Sequence, residues 1–224
     1  MPENEAKPAA KPKKKAVPFD KQRRRQNAFY RFVYPFVWAA FNLVYPLKVL
    51  HRERVPEGAA LVCPNHTSNA DPVIIMLAIA PKGGIRAMAK QELFEIRILG
   101  WFLRCIGSFG VRRGSGDVNA IKTAIKYLRA GDKVVMFPEG HRGTDGEVQD
   151  AQNGVAMLSL RTGVPILPVY IEPIGRKFHR LHVVVGEPFQ PVSASKRPTD
   201  AEYQAIGAEW KRRVTALEAE VHGG

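Results

Sequence analysis

Ala59-Ala60-Leu61-Val62-Cys63-Pro64-Asn65-His66-Thr67-Ser68-Asn69-Ala70-Asp71-Pro72-Val73-Ile74-Ile75-Met76-Leu77-Ala78-Ile79-Ala80 is the stretch that decides the fold. Residues 59–63 form a short apolar run of the kind found in a buried strand. Residues 72–80 form a second apolar run, short and helical, with Asp71 as its expected N-cap and Pro72 at the first helical position. Downstream the same alternation continues. Strands are expected at 85–88, 108–111, 133–137, 166–171 and 181–185, and helix-like segments at 93–106, 118–129 and 154–161. Gly131 and Gly163 end two of the helices. Thr199-Asp200-Ala201-Glu202 is a capping box opening a last helix to about residue 221. Strands alternating with helices predict an α/β domain over residues 51–224, a mixed central sheet flanked by helices.

Upstream the chain changes character. Residues 28–50 hold Phe29, Tyr30, Phe32, Tyr34, Phe36, Trp38, Phe41 and Tyr45, eight of the 20 aromatic residues. A membrane-crossing helix needs about 20 uninterrupted apolar residues. Pro35, Asn42 and Pro46 interrupt this run, and Arg31 and Lys48 bracket it. The expectation is two short helical pieces in a membrane interface, where aromatic rings prefer to sit. The segment alone leaves open whether it packs on the protein's own core instead. Residues 1–27 carry nine Lys/Arg against three acids and are rich in Pro and Ala. They are expected to be a disordered basic tail. A polybasic stretch beside an apolar anchor is the two-signal arrangement that holds a peripheral protein on anionic lipid. No small-residue cleavage pattern follows, so the segment is not read as a secretory signal.

Composition narrows the classes. With 224 residues and 45% hydrophobic residues, the chain has material for one well-packed domain plus extensions. The net charge of +13 points to anionic partners. Two cysteines, Cys63 and Cys105, exclude a disulfide scaffold and a four-cysteine zinc site and suit the cytosol or its membrane face. Basic runs also bind nucleic acid, but no helix-turn-helix or zinc-finger pattern accompanies them, and nucleic acid is not the expected partner. A metal hydrolase built on His66, Asp71, Glu139 and His141 would lack the paired spacing of H-E-x-x-H, so no metal is expected.

Four segments could carry chemistry. On one helix, His66 and Asp71 would lie about 140° apart. With His66 in the turn and Asp71 at the helix start they can meet, and a carboxylate on one imidazole nitrogen fixes the tautomer of a general base. Seen alone, such a pair is more often a histidine bonded to backbone beside a helix cap. Phe137-Pro138-Glu139-Gly140-His141-Arg142-Gly143 ends another strand, where α/β sheets bind ligands, and its glycines allow backbone and Arg142 to approach an anion. Gly107-Ser108-Phe109-Gly110-Val111-Arg112-Arg113-Gly114 brings two arginines out of a strand, suited to a phosphate monoester. Residues 164–169 (Val164, Pro165, Ile166, Leu167, Pro168, Val169) are a proline-bounded strand.

Together these segments resemble, in order and spacing over about residues 50–190, the four sequence blocks of the glycerolipid acyltransferase family. His66-Thr67-Ser68-Asn69-Ala70-Asp71 matches the block of a histidine, four residues and an aspartate. Residues 107–113 match the glycine–phenylalanine–arginine block, Phe137-Pro138-Glu139-Gly140 the third, and 164–169 the fourth. His141 stands where many members have threonine. The ordered four reverse the bland reading of His66. The resemblance implies transfer of a fatty acyl group from acyl-CoA or acyl carrier protein to a lysophospholipid hydroxyl at the cytoplasmic face of the cell membrane, with no further cofactor. It implies 1-acylglycerol 3-phosphate as acceptor, or, within the same family, glycerol 3-phosphate or another lyso-lipid. His66 would be the base and Asp71 its orienting group. Backbone N–H groups of Thr67 and Ser68 at the helix start would stabilise the oxyanion. Gly107, Arg113, Glu139, Gly140 and Arg142 would bind the acceptor. The absence of a G-x-S-x-G elbow agrees with direct attack by the acceptor oxygen.

Overall fold

The computed structural model describes residues 18–112, 117–139, 145–193, 195 and 198–222, with residues 145–152 described by their backbone. Seven strands, β1 (Leu47–Leu50), β2 (Leu61–Pro64), β3 (Ile85–Lys90), β4 (Phe109–Val111), β5 (Lys133–Val135), β6 (Ile166–Ile171) and β7 (Leu181–Val185), form one sheet in the order β1-β7-β6-β2-β5-β3-β4. Only the β6–β7 pair is antiparallel, so the sheet is mixed, as expected. β2 sits between β6 and β5 and is buried at every position, which is why its sequence is a continuous apolar run rather than an alternation.

Helices cover both faces. Val62 faces a core shared with α1 (Phe19–Val44), α2 (Asp71–Ile79) and the end of α3 (Arg97–Cys105). Leu61 and Cys63, one residue to either side, face the opposite core, built with α4 (Val118–Arg129), α5 (Asp145–Thr162) and α6 (Asp200–His222). The capping box forms as read. Thr199 N–H donates to Glu202 Oε2 (2.7 Å), and Glu202 N–H donates back to Thr199 Oγ1 (3.3 Å). Buried Trp210 of α6 donates its indole N–H to the Cys63 carbonyl at 2.8 Å, tying α6 to the end of β2.

The N-terminal region departs from the expectation. One helix runs from Phe19 to Val44 through Pro35, so no boundary falls at residue 27, and residues 19–27 are helix rather than tail. Residues 1–17 lie outside the described part. Leu47–Leu50, expected to belong to the membrane segment, is the edge strand β1 of the sheet. α1 packs Tyr30, Phe29 and Phe41 on the core, and polar contacts that leave no apolar periodicity in the sequence add to this. Arg23 donates to Asp132 (2.8 Å), and Gln26 Nε2 donates to the Arg104 carbonyl (3.2 Å). Asn27 Oδ1 accepts from Arg86 (2.6 Å). Further along, Tyr30 and Tyr34 donate their hydroxyls to the Met76 and Leu77 carbonyls, at 2.8 and 2.9 Å. Those carbonyls belong to the last turn of α2, and the Met76 carbonyl accepts from the Ala80 N–H as well (3.3 Å). Burial pushes the Tyr30 hydroxyl pKa well above that of a free tyrosine.

Two smaller differences bear on the site. The segment expected as one helix over 93–106 is a 3-10 turn (Gln91–Phe94) followed by α3, with Ile96 extended between them. Asp71 is the first residue of α2 rather than its cap, which is Ala70, and its carboxylate turns back toward the preceding loop.

Candidate active site

The loops of the site leave the carboxyl ends of three adjacent parallel strands, β6, β2 and β5, the end of an α/β sheet where ligands bind. Asn65, just past β2, is bonded to Ile171 at the end of β6 in both directions. Its Nδ2 donates to the Ile171 carbonyl (2.9 Å) and its Oδ1 accepts from the Ile171 N–H (2.7 Å). This clamp fixes where His66 begins.

Asp71 is fully buried, and the loop curls around one of its oxygens. Oδ2 accepts from His66 Nδ1 (2.9 Å), Thr67 N–H (2.7 Å) and Ser68 N–H (2.7 Å). A carboxylate can only accept, so Nδ1 carries the hydrogen and Nε2 holds the lone pair. The imidazole rests against Phe137, ring centroids 4.3 Å apart and planes 31° apart, and stays 15% exposed. Its backbone N–H donates to Glu139 Oε2 (3.1 Å), whose Oε1 lies 3.4 Å from Lys211 Nζ on α6. The imidazole is thus held by a buried acid on one nitrogen, an aromatic face, and a carboxylate on its main chain. The arrangement can take a proton at Nε2 and return it.

Several expected roles change. The Thr67 and Ser68 N–H groups donate to Asp71, and α2 begins only at Asp71, so in this structure they hold the carboxylate instead of facing an open oxyanion position. Glu139 accepts from the His66 amide through Oε2 and lies 3.4 Å from Lys211 Nζ through Oε1, so it positions the main chain of His66. Gly107 has φ +89°, and a Cβ there would collide with the Arg86 side chain. Close packing on Arg86 by itself requires a glycine here. Arg86 is buried in an apolar strand and bonds Asp132, Asn27 and the Ile106 carbonyl. Arg113, Gly140 and Arg142 lie outside the described residues.

Asn65 and Phe137 fell within the candidate segments without a role of their own, and Arg86 was not singled out. The only signals were an asparagine and a phenylalanine directly at strand ends, and a lone arginine inside an apolar strand. Among the described residues no group of three or more His, Cys, Asp or Glu side chains is placed to hold a metal ion.

A histidine held by a buried carboxylate at this end of an α/β sheet has the geometry of a general acid–base pair. A family model described as Acyltransferase matches residues 46–172, more than half of the chain, and the chain belongs to that family. It is 32% identical over 170 residues to the 1-acyl-sn-glycerol-3-phosphate acyltransferase of Streptococcus pneumoniae, covering 73% of this chain and 62% of that protein. It is 28% identical over 196 residues to the Bacillus subtilis protein of the same name, covering 84% of this chain and 96% of that one. The crystal structure of the 1-acyl-sn-glycerophosphate acyltransferase PlsC from Thermotoga maritima superposes with a TM-score of 0.59 at 26% identity, over 88% of this chain and 79% of the other.

Proposed function

We propose that the protein moves a fatty acyl group from acyl-CoA or acyl carrier protein to the sn-2 hydroxyl of 1-acylglycerol 3-phosphate, giving phosphatidic acid for phospholipid synthesis. The observation that carries this reading is the His66–Asp71 pair, 2.9 Å apart on a buried carboxylate at the carboxyl end of the sheet. His66 Nε2 accepts the hydroxyl proton as the acceptor oxygen attacks the thioester carbonyl carbon. The C–S bond then breaks, and the imidazolium returns the proton to the leaving thiolate. Asp71 keeps the tautomer and balances the imidazolium charge. Arg113, two positions after β4 in sequence, and Arg142, between β5 and α5 in sequence, are the residues proposed to grip the acceptor phosphate, guanidinium forks being matched to phosphate oxygens.

A lipid acceptor requires the site to work at a bilayer. The outer side of α1 exposes Phe32, Phe36, Trp38 and Leu43, and α3 beside it exposes Ile98 and Trp101. Phe29 and Trp101 meet edge to face across the two helices, at 5.8 Å. No helix of the described residues is long and apolar enough to cross a membrane. These exposed side chains support a peripheral or monotopic enzyme lying on lipid through that apolar side, and we place it on the cytoplasmic face with the basic N-terminal residues against anionic lipid.

The test is product analysis. Purified protein is given acyl-CoA or acyl carrier protein thioester with a panel of glycerol 3-phosphate and lyso-lipids, and products are read by mass spectrometry. Phosphatidic acid is expected as the main product. Acylation of a different acceptor alone would overturn the substrate assignment, and no transfer to any acceptor would overturn the activity. Within the same assay, Arg113→Ala is expected to raise the acceptor KM more than the donor KM.

A further inference from the structure

The loop joining β6 to β7 contains Arg176-Lys177-Phe178-His179-Arg180, all exposed. Phe178 is 72% exposed and has φ +65°, a conformation that residues other than glycine rarely adopt. In an isolated chain in water, both the backbone and the uncovered ring are unfavourable. The loop is nonetheless tied down, because Phe178 N–H donates to the Val44 carbonyl at the end of α1 (2.7 Å). Its cations are uncompensated. Among the described residues Arg176, Lys177 and Arg180 make no ion pair, and the nearest carboxylate in sequence, Glu172, is taken by His182, whose Nδ1 lies at 2.8 Å and whose N–H lies at 2.9 Å. Tyr45, Arg176, His179 and Arg180 line a cavity of about 370 Å³, together with Glu172, whose carboxylate is bonded to His182.

The loop's place in the fold gives these features a common use. It follows Ile171, the backbone partner of Asn65, so it leaves the same end of the sheet as His66. Through the Val44 carbonyl it also abuts the end of α1, the helix that exposes Phe36 and Leu43. An aromatic wedge ringed by arginine and lysine beside an apolar helix suits the boundary between acyl chains and headgroups. Guanidinium groups around a small cavity suit a phosphate.

We propose that the β6–β7 loop is a second membrane-contact element, in which Phe178 inserts and Arg176, Lys177 and Arg180 hold the phosphates of anionic phospholipids. This deepens the proposed function and rests on its reading of the acceptor as a bilayer lipid. The full chain is tested by co-sedimentation with phosphatidylcholine vesicles, with and without phosphatidylglycerol. The triple variant Arg176→Gln, Lys177→Gln, Arg180→Gln is expected to lose at least about tenfold of its partitioning onto the phosphatidylglycerol vesicles, with little change on phosphatidylcholine alone. Phe178→Ser is expected to bind both vesicles several-fold less. Both variants should turn over detergent-dispersed acceptor like the parent chain. Unchanged partitioning of the triple variant would overturn the proposal. So would unchanged partitioning together with a raised KM for the carrier-protein thioester, which would assign the loop to an acidic protein surface. If partitioning falls as expected but the parent chain acylates no lipid in detergent, the loop stands and the enzymatic reading fails.

Discussion

Replacing Asp71 by Asn tests how much of the site depends on one buried oxygen. Oδ2 accepts three hydrogen bonds, from His66 Nδ1 and from the amides of Thr67 and Ser68, while Oδ1 is buried with no hydrogen-bond partner among the described residues. An Asn keeps the shape and turns its carbonyl toward the three donors, which puts its NH₂ into the position of Oδ1. Three charge-assisted bonds become neutral, each weaker by about 1 kcal/mol. The buried NH₂ costs about a further 1–3 kcal/mol. A loss of roughly 4–6 kcal/mol is a large share of the roughly 5–15 kcal/mol that holds a typical domain together, so the variant is to be assayed in the cold and per folded molecule. Asp71→Ala would strand the two backbone amides as well, which makes Asn the better probe. The rate should fall further than stability explains. The imidazolium loses its counter-charge and the ring its fixed tautomer, a combination worth about 10³–10⁴ in kcat in hydrolase triads. Urea unfolding gives the folded fraction, and initial rates with acyl-CoA and lysophosphatidic acid give kcat. A folded Asn variant with kcat within tenfold of the parent would refute the orienting role.

Three further outcomes follow from the same contacts. Arg86→Leu leaves buried Asp132 with Arg23 as its one ion-pair partner among the described residues, so the urea-derived stability should drop by about 3–5 kcal/mol and the docking of α1 should loosen, read as faster proteolysis near residue 27. Glu139→Gln keeps an acceptor for the His66 amide and should hold kcat near the parent value, whereas Glu139→Ala removes it and should cost about fivefold, the worth of about 1 kcal/mol; equal losses in the two would point to a role for the charge at the substrate. Bonds from Arg212 and Arg213 hold the Glu209 carboxylate down to about 2. Its contribution is therefore present above the unfolded carboxylate range and is lost as pH falls toward 2. Glu209→Gln should cost only about 0.5 kcal/mol at neutral pH, with the difference vanishing in acid and in high salt.

The sheet was legible because buried parallel strands write themselves as apolar runs. Residues 166–171 and 181–185 coincide with β6 and β7 to the residue. The site was legible in part for a different reason. His66 and Asp71 are five residues apart, and a turn between a strand and a helix is the local geometry that brings such a pair together. The rest depends on contacts distant in sequence. Glu139 reaches the His66 amide across 73 positions, and Arg86 meets Asp132 across 46. Neither residue type declares a partner that far away. Gly107 looked like part of a ligand loop because glycine serves close approach of any kind, and here what approaches is Arg86. The start of α1 was missed because Arg23, Gln26 and Asn27 dock it through charge and amide groups, which in sequence look like solvent-facing tail.

The most direct measurement is the rate at which His66→Gln transfers an acyl group from acyl-CoA to lysophosphatidic acid in detergent, with folding checked by urea unfolding alongside the parent chain. Gln keeps a polar side chain in contact with Phe137 and Asp71 but cannot accept and return the hydroxyl proton. The folded variant is expected to form phosphatidic acid no faster than a protein-free control. A folded His66→Gln protein that retains the parent rate would contradict the assignment of His66 as the base.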